Sequence, residues 1–293
     1  MRIVILGATG MLGHKLWQLL PRRFPETYAT IRARRSDYGG VGLFDSDRVV
    51  EGMDAAEFAG AEAVLKRLKP DAIVNCIAVT KRREASADAA SSIALNALLP
   101  HRLAAWGDAN AARVIHFSTD CVFSGRAGGY SEDSVTDAED LYGRTKALGE
   151  IAQANHLTLR SSFIGRELRN GTELLEWFFA QRGKRIKGYR QARYTGVSSV
   201  YLAQLVGDII ERHPRLSGLY NLASEAITKF DLLCLAREAF KIDVEIEPDD
   251  DFVCKRDLNG AKLRQALGIA TPSWREMMAE LAADPTPYDR WRK

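Results

Sequence analysis

Tyr142 and Lys146 stand four residues apart in DLYGRTKALGE, residues 140–150, an otherwise ordinary helix-forming stretch. One helical turn separates them, so their side chains share a face. Such a pair is suited to carbonyl reduction. Hydride delivered to a ketone makes an alkoxide, and a tyrosine can supply the proton the alkoxide needs. Bringing a phenol from about 10 towards about 7 takes roughly 4 kcal/mol at about 1.36 kcal/mol per unit. A lysine ammonium about 4 Å away contributes on that order at an effective dielectric of about 20. Tyr-x-x-x-Lys is common by chance, so the pair needs company before it carries meaning.

That company lies upstream. HFSTDCVFSG (116–125) places Ser118 and Thr119 at the end of an apolar run, RVIHFST (113–119). In a parallel α/β sheet the ends of strands are where ligands bind. A threonine hydroxyl there would hold the carbonyl oxygen, and Lys146 would also hold the nicotinamide ribose. Thr119, Tyr142 and Lys146 are thus the candidate catalytic set, with Ser118 beside the cofactor.

The cofactor signal is at the N-terminus. GATGMLG sets Gly7, Gly10 and Gly13 between the apolar run RIVIL (2–6) and the helical pattern MLGHKLWQLL (11–20). Strand, glycine turn and helix form the context of a dinucleotide site: the backbone approaches the pyrophosphate and the helix N-terminus offers unpaired N–H groups. Thr9, Met11 and Leu12 belong to the same loop. The spacing is G-x-x-G-x-x-G. The second strand, TYATI (27–31), is followed by Arg32, with Arg34 and Arg35 behind it and no acidic residue at that point. An arginine there accommodates the 2′-phosphate of NADP, so NADPH is the expected cofactor and Arg32 its contact.

These residues need a scaffold. Further strands are expected at AIVNCIA (72–78) and LTLRSS (157–162), with helices at AEAVLKRLK (61–69) and SSIALNALLPHRLAAWG (91–107), the latter kinked or broken at Pro100. A long irregular stretch spans 33–55. Strand and helix alternate over the first 160 residues, which predicts an α/β fold: a Rossmann-type, doubly wound parallel sheet. Beyond it, helices near 173–180, 198–211, 229–240, 259–267 and 273–283 alternate with short strands such as GLYNLA (218–223) and VEIEP (244–248). The expected division is a dinucleotide-binding domain over 1–163, with the 198–215 helix returning to it, and a stretch, 164–293, that is mainly a smaller α/β substrate-binding lobe. At 293 residues, 46% hydrophobic and 27% charged, the chain reads as a soluble globular protein with a substantial core. A net charge of +3 and the absence of an apolar run of roughly 18 residues argue against nucleic acid and membrane as partners. The short apolar start runs into glycines and does not suit a signal peptide, so a cytoplasmic location is expected. Cys76, Cys121, Cys234 and Cys254 form no CxxC and read as reduced thiols, with no metal site.

GATGMLG, NCIA (75–78), LNALLPHRLA (95–104), STDCVFSG (118–125), YGRTK (142–146) and LRSSFIG (159–165) occur in this order, and together they resemble the extended short-chain dehydrogenase/reductases that act on nucleotide sugars. The closest likeness is to the dTDP-4-dehydrorhamnose reductase branch, to which STD-x-VF-x-G and SGLYNLASEAITKFDLL (217–233) point. The resemblance covers nearly the whole chain. It implies Thr119, Tyr142 and Lys146 as catalytic residues. It implies Asn75, Cys76, Ile77, Ala78, Asn96, Ser161, Ser162 and Phe163 along the cofactor. It implies Thr80, Cys121, Val122, Phe123, Lys187, Tyr189, Arg193, Thr195 and Arg256 around a nucleotide-sugar substrate. The branch usually carries tyrosine where this chain has Cys121, TKRREAS (80–86) is basic where an acidic segment is expected, and the interval from Thr119 to Tyr142 is one residue short. The implied activity is NADPH-dependent reduction of the C4 ketone of a 6-deoxy-4-keto sugar, dTDP- or UDP-linked; a homodimer is compatible with it. Three other readings compete: an epimerase or dehydratase of the same fold, a non-catalytic NADP-binding regulatory subunit, and a nucleic-acid binder resting only on basic loops such as 182–193.

Overall fold

The computed structural model describes all residues except 40–41, 81–87, 154, 170 and 291–293. Most of the basic TKRREAS segment therefore lies outside the described residues. IVIL forms β1 (Ile3–Leu6), buried along its whole length, as expected of a strand covered on both faces. It leads into α1 (Met11–Leu19), β2 (Thr27–Thr30) and, within the stretch read as irregular, a two-residue β3 (Val49–Val50). Then come α2 (Phe58–Leu68), stopped at left-handed Lys69 before Pro70, and β4 (Ala72–Asn75). β4 ends three residues earlier than expected, and Cys76–Ala78 leave the sheet as a loop over the strand ends.

The stretch containing Pro100 is one long helix with a widened middle. α3 (Ala89–Ser92), capped by Asp88, runs into a π-helical stretch at Ile93–Leu98, and α4 (Leu99–Asn110) continues it. Pro100 sits in the first turn of the resumed α-helix, where its missing N–H costs little, and the irregularity falls ahead of it. β5 (Arg113–Ser118), α5 (Leu141–Leu148) and β6 (Leu157–Arg160) complete this half.

The second half contains β7 (Phe163–Ile164), α6 (Leu174–Phe179), β8 (Arg185–Tyr189), β9 (Ala192–Tyr194), β10 (Val197–Ser198), α7 (Ser199–Arg212) and β11 (Gly218–Asn221). It continues with β12 (Ile227–Thr228), α8 (Lys229–Phe240), β13 (Glu245–Asp249), β14 (Cys254–Lys255), α9 (Ala261–Leu267) and α10 (Trp274–Ala282). The main sheet has seven strands in the order β11-β6-β5-β4-β1-β2-β3, paired in parallel throughout. The order reverses between β1 and β4, and that switch point is where such sheets open a crevice at their strand ends.

Alternate residues of each strand face opposite layers. Ile3, Ile5, Ala29, Val74 and Ile115 pack with α1 and α7, and Val4, Leu6, Ile73 and Val114 pack with α2 and α4. α7 starts at its Ser198 cap and lays Leu202, Val206 and Ile209 against this core beside α1. The chain returns further than the 198–215 helix, because β11 hydrogen-bonds to β6 as the edge of the main sheet. The lobe is built from small pieces: β7 with β10, β8 with β13, and β9 between β12 and β14. Among the described residues no helix is long and apolar enough to cross a membrane.

Candidate active site

The N-terminal turn is built for close approach. Gly7 has φ +82°, and a Cβ on Gly13 would lie 2.2 Å from the Gly7 carbonyl oxygen, so only glycine lets α1 sit on the loop. Gly10 is different: added bulk there would meet only ordinary contact at 3.6 Å, and Gly10 faces the cavity. It is the N-cap of α1 with no side-chain cap, and no acidic residue occupies the first turn. The first-turn N–H groups of α1 thus open on the cavity as donors for an anionic group. This suits a pyrophosphate.

The cavity holds about 900 Å³ and runs from this turn across the strand ends into the lobe. Gly10, Met11, Leu12, Asn75, Cys76, Ile77, Ala78, Ser161, Ser162 and Phe163 line its dinucleotide end. Gly7, Thr9 and Gly13 shape the loop without lining the cavity. Arg32 and Arg34 are both exposed past β2, Arg34 with its backbone N–H on Asp37, whereas the Arg35 side chain donates to the Ser46 carbonyl and lies near Glu51. Asn96 stands behind the wall rather than on it. Fully buried in the π-helical stretch, it accepts from the Val79 N–H at 2.8 Å and donates to the Val79 carbonyl at 3.0 Å, which holds the loop after β4 in place.

Thr119, Tyr142 and Lys146 meet on one wall. Asp140 caps α5 by accepting from the Gly143 N–H at 2.9 Å, which starts the helix just ahead of Tyr142. A Cβ on Gly143 would lie 2.2 Å from the Cys121 carbonyl oxygen, so the helix rests on the Thr119–Phe123 turn at a distance only glycine permits. This sets Tyr142 beside Thr119, whose hydroxyl accepts from the Cys121 N–H at 3.1 Å and donates to Asp120 at 3.2 Å. Burial holds the Tyr142 hydroxyl well above the usual phenol range, with Cys121, Asp120 and Glu173 pushing the same way and Thr119 opposing. The expectation that Lys146 pulls Tyr142 down is not the balance found. The Lys146 amine turns away to the Phe117 carbonyl at 2.6 Å, and burial lowers its own value to about 8. Tyr142 is thereby kept protonated, the state a proton donor needs.

Other expected contacts are corrected. Val122 and Phe123 are fully buried, packed with Tyr130, Ala223 and Leu258, and do not line the cavity. Thr195 is also off the cavity; its hydroxyl accepts from the Leu258 N–H. Ser118 lines the cavity, but its hydroxyl donates to Glu150 at 2.6 Å, the carboxylate clamped by Arg160. Lys187 pairs with Asp249 at 2.7 Å and Arg193 with Asp257 at 3.3 Å, although both reach the cavity. Arg256 donates through Nε to the Phe123 carbonyl and through Nη1 to Cys121 Sγ at 3.5 Å, and burial pushes the Cys121 thiol up to about 12. Thr80, Cys121, Tyr189 and Arg256 line the cavity.

The sequence reading missed several wall residues. Lys229, at the start of α8, stands 3.7 Å from the centroid of the Tyr194 ring. Thr228 and Asp231 form a cap signature that could have flagged that helix start. Glu173 joins Asp120 and Glu167 as a carboxylate lining the cavity, and Phe252 tilts against Tyr189 at 4.8 Å. Neither had a local signal, because each arrives through pairing between distant segments.

Comparison with known proteins agrees with this geometry. The family model described as RmlD substrate binding domain matches residues 1–286. The chain belongs to that family. It is an RmlD-type member of the extended short-chain dehydrogenase/reductases, and so of the nicotinamide-dependent oxidoreductases. It is 30% identical, across its whole length and 88% of the relative, to a probable dTDP-4,6-dihydroxy-2-methyloxan-3-one 4-ketoreductase of Streptomyces antibioticus. It is 25% identical, over 82% of this chain and 72% of the relative, to methionine adenosyltransferase 2 subunit beta of Xenopus tropicalis. In fold it matches the dTDP-4-dehydrorhamnose reductase of Bacillus anthracis in complex with NADP, with a TM-score of 0.78 at 20% identity over 97% of this chain and 99% of that one.

Proposed function

We propose that this protein reduces the C4 ketone of a 6-deoxy-4-keto nucleotide sugar, dTDP- or UDP-linked, with NADPH as reductant and Tyr142 as proton donor. The observation that carries the reading is the meeting of Thr119, Tyr142 and Lys146 on one wall of a cavity. That cavity has an uncapped helix N-terminus at one end and the cations Lys187, Arg193, Lys229 and Arg256 at the other. The cofactor is NADPH; when bound it supplies the hydride. Met11, Leu12 and the first turn of α1 would hold its pyrophosphate, and Arg32 its 2′-phosphate. Thr119 orients the carbonyl oxygen, and Tyr142, protonated at neutral pH, gives its proton to the nascent alkoxide. The basic wall suits a diphosphate, and the Tyr189–Phe252 pair at the mouth offers a flat apolar face to a base. Such a reductase would work in the cytoplasm.

The test is NADPH consumption by wild type and Tyr142→Phe over a small panel of dTDP- and UDP-linked 4-keto-6-deoxy sugars. Wild-type turnover on one of them and a loss of about 10²-fold or more in the variant, with NADPH binding retained, is expected. Unchanged turnover in the variant would remove Tyr142 from the mechanism. NADPH binding without consumption across the panel would favour the reading as a non-catalytic NADP-binding regulatory subunit.

A second reading, an epimerase, draws on Asp120 and Glu173, carboxylates whose charges both bear on Tyr142. Exchange of substrate ring protons with deuterated solvent, without net NADPH consumption, would select it.

A further inference from the structure

Lys146 is held from behind. Its amine lies 3.3 Å from Nε2 of His116, a fully buried residue of β5, besides its 2.6 Å bond to the Phe117 carbonyl. The other ring nitrogen of His116, Nδ1, lies 3.1 Å from the amide nitrogen of Asn75, at the end of the neighbouring strand β4. The Asn75 amide has one workable orientation. Its Oδ1 accepts from the Ile77 N–H at 3.1 Å, and the reverse orientation would set NH₂ against that N–H. Asn75 therefore donates to Nδ1, and Nδ1 carries no proton. A neutral imidazole has one N–H, so it is on Nε2 and points at Lys146. A neutral amine has a lone pair to accept that N–H, and an ammonium has none.

We infer that Asn75 and His116 are a positioning pair behind Lys146, fixing where its nitrogen lies and favouring its neutral amine over its ammonium. This rests on the proposed reading of Lys146 as part of the proton-transfer site. The other titratable groups bearing on the pair are His101 from α4, the Cys76 thiol after β4 and Glu150 after α5. Burial opposes the ammonium most, and Glu150 and Cys76 favour it; the His116 N–H, 3.3 Å away, sides with burial. His101 acts on His116, which burial and the Lys146 charge keep neutral. The balance leaves Lys146 near about 8, where it exchanges its proton close to working pH. In turnover the Lys146 ammonium gives up a proton towards the Tyr142 phenolate by way of the cavity both side chains line, and is left as the amine that His116 accommodates. Solvent in the cavity then supplies the next proton to Lys146.

Two measurements test the pair. In the NADPH-bound protein labelled with ¹⁵N-histidine, and with His116→Gln for assignment, the His116 imidazole is expected to be protonated at Nε2 and bare at Nδ1. Protonation at Nδ1 overturns the inference, and this readout needs no turnover and no folded variant at Asn75. In the pH profile of turnover, His116→Phe and Asn75→Leu are expected to move the alkaline limb up by about one pH unit or more, because the first removes the N–H facing the ammonium and the second frees the imidazole to carry that proton on Nδ1 instead. A uniform loss of rate with the limb unmoved would mean the pair is only structural, and would overturn the inference as well. Lys146→Met is measured alongside. Full turnover in that variant would sink the reading of Lys146 as machinery while leaving the imidazole result intact, so the two failures are distinguishable.

Discussion

At the scale of single residues, the site runs on contrasts of environment. Tyr142 and Lys146 share a helix face, yet burial moves both towards their neutral forms: the phenol up, the amine down. Cys121 is a neutral thiol against Arg256 and leaves that guanidinium in contact with the Thr119–Phe123 turn. Arg32 is the residue on which we propose that cofactor choice turns. Arg32 stands exposed at the end of β2, while the Arg35 guanidinium is bonded to the Ser46 carbonyl. A charged hydrogen bond to a phosphate is worth about 1.5–3 kcal/mol, so Arg32→Ala is expected to weaken NADPH by roughly tenfold to a hundredfold and NADH hardly at all. Titration of each nucleotide by fluorescence checks this; equal losses for both would discard the arginine reading.

At the scale of elements, two contacts position the chemistry. The first is α5 on the Thr119–Phe123 turn. In Gly143→Ala the new methyl meets the Cys121 carbonyl, so the helix must lift. The expected result is a thermal midpoint lower by a few degrees and a turnover loss well beyond what that destabilisation explains, measured by calorimetry and the NADPH assay. The second is the clamp of the C-terminal segment on α1. Lys15 pairs with Asp284 at 2.5 Å, and Tyr288 donates to Asp284 while its hydroxyl meets His14 Nε2 at 2.9 Å. His14 Nδ1 bonds the carbonyl of Gly10, so the clamp bears on the dinucleotide turn. Burial lowers His14 from 6.5 to about 3. Between those values the unfolded chain binds the proton and the folded chain does not. Stability therefore falls as pH drops below about 6.5, by up to about 1.4 kcal/mol per pH unit. Asp284, held below its usual range mainly by its bonds to Lys15 and Thr286 against an opposing burial cost, adds to the acid loss as it titrates. Urea midpoints measured from neutral pH to about pH 4.5 are expected to decline, and His14→Gln to flatten the decline.

At the scale of the whole molecule, one chain builds two halves and closes them over one cavity. The main sheet takes its last strand, β11, from the far side of the lobe sequence, so the halves are interleaved rather than tethered. Lys229, Lys187, Arg193 and Arg256 come from four separate stretches and face the dinucleotide end across the cavity. Lys229→Met is therefore expected to raise KM for the nucleotide sugar about tenfold or more while NADPH affinity and the thermal midpoint stay near wild type. A parallel loss of NADPH affinity would mean the two ends are not separable in this way.

The sequence by itself determined what is local. RIVIL, the glycine turn and MLGHKLWQLL could be placed because apolar period, tight turn and helix start are neighbours along the chain. Tyr142 and Lys146 could be paired because a helix turn is four residues. The resemblance to the nucleotide-sugar reductases rested on the same short motifs. Tertiary structure alone decided the rest. Val122 and Phe123 sit in a motif of the catalytic turn, yet their side chains point into a small core; the backbone of a turn, not its composition, sets which way a side chain faces. The cut at 163 missed β11 because strand pairing over sixty residues leaves no periodic trace. Glu173, Phe252 and the Asn75–His116–Lys146 contact are likewise products of chain crossing. Their partners are 31 or more residues away, except His116 and Lys146, 30 apart, and at such separations only the closed fold brings charges and hydrogen-bond donors within reach.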